Sequence, residues 1–247
     1  MTEPLIPTLG RPGRLRPLAL LALLALLPPR PAAADTLRLA DAAPLANVTV
    51  RAITATAVRY DAPGAPGTER PLAQVKSIQF SQPPVVAKPG GLILADGSRL
   101  SGVLAAWLPE LIFRSSLAGG RLDLPREEVA AIYYSLPQLQ RSPTKPAAFP
   151  TALDLYGGGV TGRLLWADAE SAGIRGADGL KRFAAPALAA ILFAPLPTAA
   201  PRLRLRNGDV LNATPTCLGD SLKVKVGRTM VTVPLAAIAE IQFEQEK

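Results

Sequence analysis

The chain has 247 residues, of which 49% are hydrophobic but only 5% aromatic, with 26 prolines, 20 glycines, one cysteine and no histidine. That much apolar material excludes a wholly disordered polymer, and so few aromatics leave Leu, Val, Ile and Ala to build any core. A formal charge of +8 suits anionic partners but falls short of a dedicated nucleic-acid binder, and a lone cysteine excludes an internal disulfide.

At the amino terminus, Arg11, Arg14 and Arg16 precede an uninterrupted apolar run from Leu18 to Leu27, followed by "PPRPAAAD". This has the form of a secretory signal peptide, with Ala32, Ala33 and Ala34 as the small residues before the cut. A membrane-spanning helix needs ~20 apolar residues, and Pro28 and Pro29 end this run short of that. The expectation is a signal peptide over 1–34, cleaved after Ala34. The mature chain would then start at Asp35 with a formal charge of +5, because four arginines and one glutamate are removed from +8. Its destination is the periplasm or the medium, with membrane contact only during export. No cysteine stands beside the run to carry a lipid, and no adjacent arginine pair precedes it.

Beyond Asp35 one closing phrase occurs four times, as "PLAQVKSIQF", "PREEVAAIYY", "APALAAILF" and "PLAAIAEIQF". Each holds an aliphatic residue, then Ile three positions later, then an aromatic two beyond: Val75, Ile78, Phe80; Val129, Ile132, Tyr134; Leu188, Ile191, Phe193; and Ile238, Ile241, Phe243. Proline stands four residues before the first member at Pro71, Pro125 and Pro234, whereas the third phrase has Ala184 there and a displaced Pro186. Three copies share an opening phrase as well, "LILADGSRLSG", "LDLYGGGVTG" and "LRLRNGDVLN". Asp-Gly, Gly-Gly and Asn-Gly are hairpin dipeptides that tolerate positive φ at both central positions, so each predicts two antiparallel strands.

The distances from Gly97 to Tyr134, Gly158 to Phe193 and Gly208 to Phe243 are 37, 35 and 35 residues. The unit is therefore one small β module, predicted over 35–80, 91–134, 151–193 and 202–247. The first copy is divergent, lacking the turn glycine and carrying the insertion "DAPGAPGTER". Between the modules lie proline-rich segments, read as linkers stiffened toward polyproline II. A unit of ~45 residues sits near the lower size limit for a hydrophobic core of its own, so neighbouring modules should pack together.

In the last copy period two rules: Leu203 and Leu205 oppose Arg202, Arg204 and Arg206, while Leu222, Val224 and Val226 oppose Lys223 and Lys225. "PLAAI" reads as a one-turn helical corner before the final strand. Five short strands, an early hairpin and that corner describe a small barrel. The stretch "LRLRNGDVLNATPTCLGDSLKVKVGRTMVTVPLAAIAEIQF" resembles the Sm-like or SH3-like module, and the tandem arrangement is similar to repeat regions of exported bacterial proteins. The resemblance implies four tandem five-stranded barrels. In Sm-like RNA binders an Asp and an Asn before the third strand, and a later Arg-Gly, grip a base. Here the loop reads "CLGDSLK" and the later pair is reversed as Gly227 and Arg228, so no nucleic-acid site is carried over.

Gly219, Asp220, Ser221 and Leu222 spell the signature of GDSL esterases, but such a serine needs a histidine base and the chain has none. The phrase is read instead as a link between the second and third strands. Ser142, Pro143, Thr144 and Lys145 copy the spacing of penicillin-recognising enzymes, yet Pro146 forbids the helix start that such a pair requires. Glu127, Glu128, Asp168 and Glu170 lack calcium-loop spacing. No catalytic residue, metal or cofactor is expected. The sequons at Asn47 and Asn212 are read as ordinary strand asparagines.

One surface feature suggests binding: Arg202, Arg204 and Arg206, with Lys223 and Lys225, since neighbouring strands could merge them into one cationic face for an anionic polymer; the preferred reading of the row is a solvated, aggregation-resistant outer face of an exposed strand. Trp107 and Trp166 are the only candidate platforms for stacking on a sugar, unless their matching places in the second strands make them core or interface residues. The preferred function is a non-enzymatic structural or interaction component of the bacterial envelope, pairing with envelope proteins or itself through sheet edges. Polysaccharide or anionic-polymer binding is the alternative, and a GDSL-type esterase the least favoured reading.

Overall fold

The computed structural model describes residues 34–243 apart from 82–84, 86–89, 109–110, 118–119, 123, 142–147, 199–201 and 218. The expected signal peptide, save Ala34, and the Ser142 to Lys145 segment lie outside the described residues. Alternating apolar and polar residues make strands nearly throughout. Residues 35–79 form β1 (Asp35–Leu39), β2 (Leu45–Ile53), β3 (Ala57–Ala62), β4 (Ala65–Pro71) and β5 (Val75–Gln79). Residues 91–133 form β6 (Gly91–Leu94), β7 (Arg99–Ala106), β8 (Ile112–Ser115), β9 (Arg121–Leu122) and β10 (Val129–Tyr133). Next come β11 (Thr151–Asp154), β12 (Gly159–Thr161), β13 (Arg163–Ala167), β14 (Ser171–Gly176), β15 (Gly179–Ala184) and β16 (Leu188–Leu192). The last stretch holds β17 (Leu203–Leu205), β18 (Val210–Leu211), β19 (Thr216–Cys217), β20 (Ser221–Val226), β21 (Thr229–Pro234) and β22 (Ile238–Gln242).

Strand order is the same in all four stretches: β5-β1-β2-β3-β4, β10-β6-β7-β8-β9, β16-β11-β12 with β13-β14-β15, and β22-β17-β18 with β19-β20-β21. In the last two stretches the expected second strand is broken in two. At the first break a Cβ on Gly162 would strike the carbonyl of Arg175; at the second, Pro215 supplies no ladder donor.

The turns differ in detail from the expected mirror-image type. Positive φ occurs at Gly97 (86°), Gly157 (85°) and Gly208 (86°), and among the described residues the only non-glycine with positive φ is Asn47 (61°). The Gly97, Gly157 and Gly208 amides donate to Leu94, Asp154 and Leu205, and these three donate back to Ser98, Gly158 and Asp209. That is a type I turn followed by a glycine bulge, so only one position per turn demands glycine. Asn47, for its part, is not an ordinary strand residue.

Each stretch turns into its final strand through a 3-10 turn at Leu72–Gln74, Arg126–Glu128, Ala185–Ala187 or Leu235–Ala237. The preceding residue has φ −55° at Pro71, −61° at Pro125, −75° at Ala184 and −67° at Pro234. All four values suit a pyrrolidine ring, which is why three corners carry proline. The last residue of each turn accepts from the residue that follows the first strand: Gln74 from Ala40, Glu128 from Ala95, Ala187 from Leu155 and Ala237 from Arg206.

No closed barrel forms among the described strands, contrary to expectation. The final strands β5, β10, β16 and β22 turn their second edges to each other instead. β10 pairs antiparallel with β16, Ile132 opposite Ile191, and β22 pairs with β5, Ile241 opposite Ile78. The closing aromatics extend both seams, through Tyr134 to Ala189, Phe193 to Ala130, Phe80 to Ala239 and Phe243 to Lys76. The repeated phrase is thus the joint. One core spans all four stretches, with Ile78, Ile132, Ile191 and Ile241 each 1% exposed or less. A second cluster covers the other side of the β10–β16 seam, where Leu139 of the short helix α1 (Leu136–Arg141) packs with Ala131, Leu153 and Ala190. Burial on both faces explains the unbroken apolar runs "VAAIY" and "LAAIL". The other seam, "VKSIQ" against "IAEIQ", keeps polar residues on its open face. The segment expected as a purely extended linker supplies that helix.

Candidate functional site

The expected cationic face is not assembled. β17 pairs with β18 and β22, whereas β20 pairs with β19 and β21, so the split second strand separates the arginine row from Lys223 and Lys225. Each arginine also has a local partner: Arg202 donates to Thr214 Oγ1 (2.6 Å), Arg206 to the Ala236 carbonyl (2.7 Å), and Arg204 lies 3.5 Å from the Glu240 carboxylate. Alternation put these side chains on the outside; long-range pairing decided what stands beside them. Lys223 and Lys225 are exposed.

The tryptophans part company. Trp107 is 7% exposed and stacks on Phe193 with ring centroids 4.4 Å apart, across the joint between the second and third stretches. Its amide donates to the Ala167 carbonyl at 2.9 Å. This is the interface role that the sequence left open. Trp166 is half-buried on the outer sheet, its Nε1 donating to Ser171 Oγ (3.2 Å), with the Arg182 guanidinium 5.4 Å from the ring centroid.

The GDSL phrase works as a clasp between the first and last stretches. Gly219 takes φ +81° and exchanges backbone hydrogen bonds with Ile53 at 2.7 and 2.9 Å, and the Asp220 carbonyl accepts from Leu235. Ser221 opens β20 opposite Pro234.

A buried polar joint that the sequence reading missed ties the second stretch to the fourth. Asp209 is 1% exposed. Its carboxylate accepts the Ser101 amide and Asn207 Nδ2 (3.0 Å), while Arg99 donates to the Gly208 carbonyl (3.2 Å). Asn207 also donates to Ser116 Oγ, which lies 2.6 Å from Ser101 Oγ. Nearby, Asn212 Nδ2 donates to the Asp96 carbonyl (2.7 Å) and its amide to Ser98 Oγ, again not an ordinary strand role. Burial pushes the Asp209 carboxyl above its usual value, against the pull of the hydrogen bonds from Ser101 and Asn207 and of the Arg99 charge. Only the hairpin pattern at Asp96 and Asn207 hinted at this pairing, since both turns lead with a residue whose side chain can bond backbone.

A cleft of about 280 Å³ lies between the second and third stretches, lined by Gly91, Gly102, Tyr133, Tyr134, Asp168 and Pro186 among others. Tyr134 donates to the Asp168 carbonyl (2.9 Å) and Tyr133 to the Leu100 carbonyl (3.2 Å). Burial raises both phenols above their usual range, helped by the negative charges of Asp209 at Tyr133 and Asp168 at Tyr134. These hydroxyls hold protons firmly and are engaged with carbonyls, so they serve as struts. Among the described residues no group of three or more Cys, Asp or Glu could hold a metal ion.

Open sheet edges are the other surface feature. β4, β9, β15 and β21 each pair on one side alone, as do β12, β13 and β19. β4 contains Pro66 and Pro71, β21 ends in Pro234, β9 and β19 have two residues each, β12 three and β13 five, which leaves β15, with six, as the longest edge without proline. At its base Ala185 donates to Glu170. The antiparallel alternation then aims the amides of Lys181 and Phe183 at β14 and those of Leu180, Arg182 and Ala184 outward. Comparison with protein-family models, curated proteins and solved structures yields no match for the chain.

Proposed function

We propose that the protein is a non-catalytic, exported component of the bacterial envelope, made of four copies of one small β unit akin to the Sm-like or SH3-like module. It adds an extended strand, from an envelope protein or a second copy of itself, to an open sheet edge. The carrying observation is the contrast between edges. The final strands of the four stretches, β5, β10, β16 and β22, are each paired on both sides within the chain, while β15 presents six residues with an unpaired side. Unpaired edges are templates for strand addition, and Lys181 and Arg182 are the kind of charge that limits indiscriminate pairing there. The first strand begins at Asp35, the residue that cleavage after Ala34 would leave as the amino terminus, which fits an exported chain. Asp35 is also built into the fold, its carboxylate accepting from Val50 (3.0 Å) and Ser81 (3.2 Å).

The test is site-specific photo-crosslinking from position 180 in the producing bacterium, alone and with Arg182→Pro. The proline deletes one outward amide and leaves the β14 ladder intact. The expected result is an adduct with a second copy or an envelope protein that disappears in the proline variant. An adduct that survives Arg182→Pro with equal yield refutes strand addition at β15.

A further inference from the structure

On the sheet β13–β14–β15, directly opposite residues point to the same face. Arg163 stands opposite Arg175, which stands opposite Leu180; on the same face Trp166 stands opposite Gly173, which stands opposite Arg182. A bulge between Leu164 and Trp166 keeps the indole on the arginine side. The intervening residues Leu164, Ile174, Ala167 and Ala172 are buried, so the arginine face is the outer one. Arg163, Arg175 and Arg182 are all exposed.

Gly173 shapes this surface. A Cβ there would strike the Trp166 ring carbons, so the indole lies down across β14 toward Arg182. Like charges directly opposite each other destabilise a sheet, and Arg163 against Arg175 is such a pair. Among the described residues none of the three arginines has a carboxylate partner. The matching sheet of the first stretch neutralises its own arginines, Arg51 with Asp61 at 2.7 Å and Arg59 with Glu69 at 3.0 Å. Of the nearby acids, Asp168 holds the amides of Glu170 and Ser171, while Glu170 and Asp178 sit in the turns at the two ends of the hairpin.

We propose that this face binds an acidic polysaccharide strand rich in uronate. The Arg182 guanidinium, which lies over the indole, turns to a ring carboxylate and leaves that face of the indole to the apolar face of a pyranose ring, while the other guanidinium groups make forked hydrogen bonds to further carboxylates. Single-stranded nucleic acid fits less well, because its binding sites line up successive aromatic platforms and this face has one. The site uses outward side chains, whereas strand addition at β15 uses outward amides, so either proposal stands if the other fails.

The test is titration calorimetry of residues 35–247 with polygalacturonate, dextran and oligodeoxythymidylate. Saturable binding to polygalacturonate alone is expected, with Arg163→Gln and Arg175→Gln each weakening it about tenfold, and Lys223→Gln changing nothing. Without ligand, Arg163→Gln should raise the urea midpoint, since it relieves the repulsion that the ligand otherwise relieves. No saturable polygalacturonate binding, tighter binding of the oligonucleotide, or equal weakening by Lys223→Gln would each overturn the assignment.

Discussion

The corner before the final strand of the third stretch offers a sharp test of the proposed fourfold correspondence. Ala184 has φ −75° and ψ 143°, and Pro71, Pro125 and Pro234 occupy the same place with φ from −55° to −67°. Its register partner is Ser171, as Ala57 is for Pro71 and Ser221 for Pro234. The Ala184 amide points out of the sheet by the alternation argued above, so Ala184→Pro removes no ladder bond. The preceding residue, Phe183, is in a strand, the conformation that proline demands of it. What changes is the unfolded chain, which loses freedom and so stabilises the fold by about 0.4–1 kcal/mol. At this size that raises Tm by about 1–4 °C. Urea unfolding should show a higher midpoint with an unchanged slope. A lowered midpoint would mean that this corner is built differently from the other three.

Further expectations follow from the seams and buried groups. Ile191→Ala should cost about 2–5 kcal/mol, because Ile191 is fully buried opposite Ile132, and it should lower the urea midpoint of the whole unit in a single transition. Gly91→Ala should cost about 1–3 kcal/mol by overpacking, since its Cβ would meet the Leu100 carbonyl and the Tyr133 ring; proteolytic susceptibility would report it. The Asp209 carboxyl is raised in the fold above its ordinary value of 3.8, so its contribution is most favourable below that value and is lost as pH rises through the folded one. Urea midpoints over a pH series should carry that falling component, and Asp209→Asn should remove it. Tyr133 and Tyr134 are raised above 10.0, so stability should fall once pH passes that value, and tyrosinate absorbance should appear together with unfolding.

Much of the local structure was legible because it depends on neighbours in the chain. Alternation at Leu203 to Arg206 and Leu222 to Val226 foretold strand faces, and "PLAAI" foretold the corner now seen at Leu235–Ala237. The seam partners were legible too, though unread. "VAAIY" and "LAAIL" are apolar on both faces and pair with each other, while "VKSIQ" and "IAEIQ" are polar on one face and pair likewise. Arg202, Arg204 and Arg206 drew attention because they alternate with leucines along one short stretch of chain. Arg163, Arg175 and Arg182 come from three strands and meet only through register.

The sequence by itself determined the all-β character, the bends and the inward aliphatic residues, since side-chain alternation and allowed φ values are properties of a few consecutive residues. Tertiary structure alone decided that the first stretch pairs with the fourth and the second with the third, that open sheets replace closed barrels, and that Asp209 is buried at a joint. The physical reason is that a strand has two hydrogen-bonding edges, and which strand satisfies each depends on burial across the whole unit.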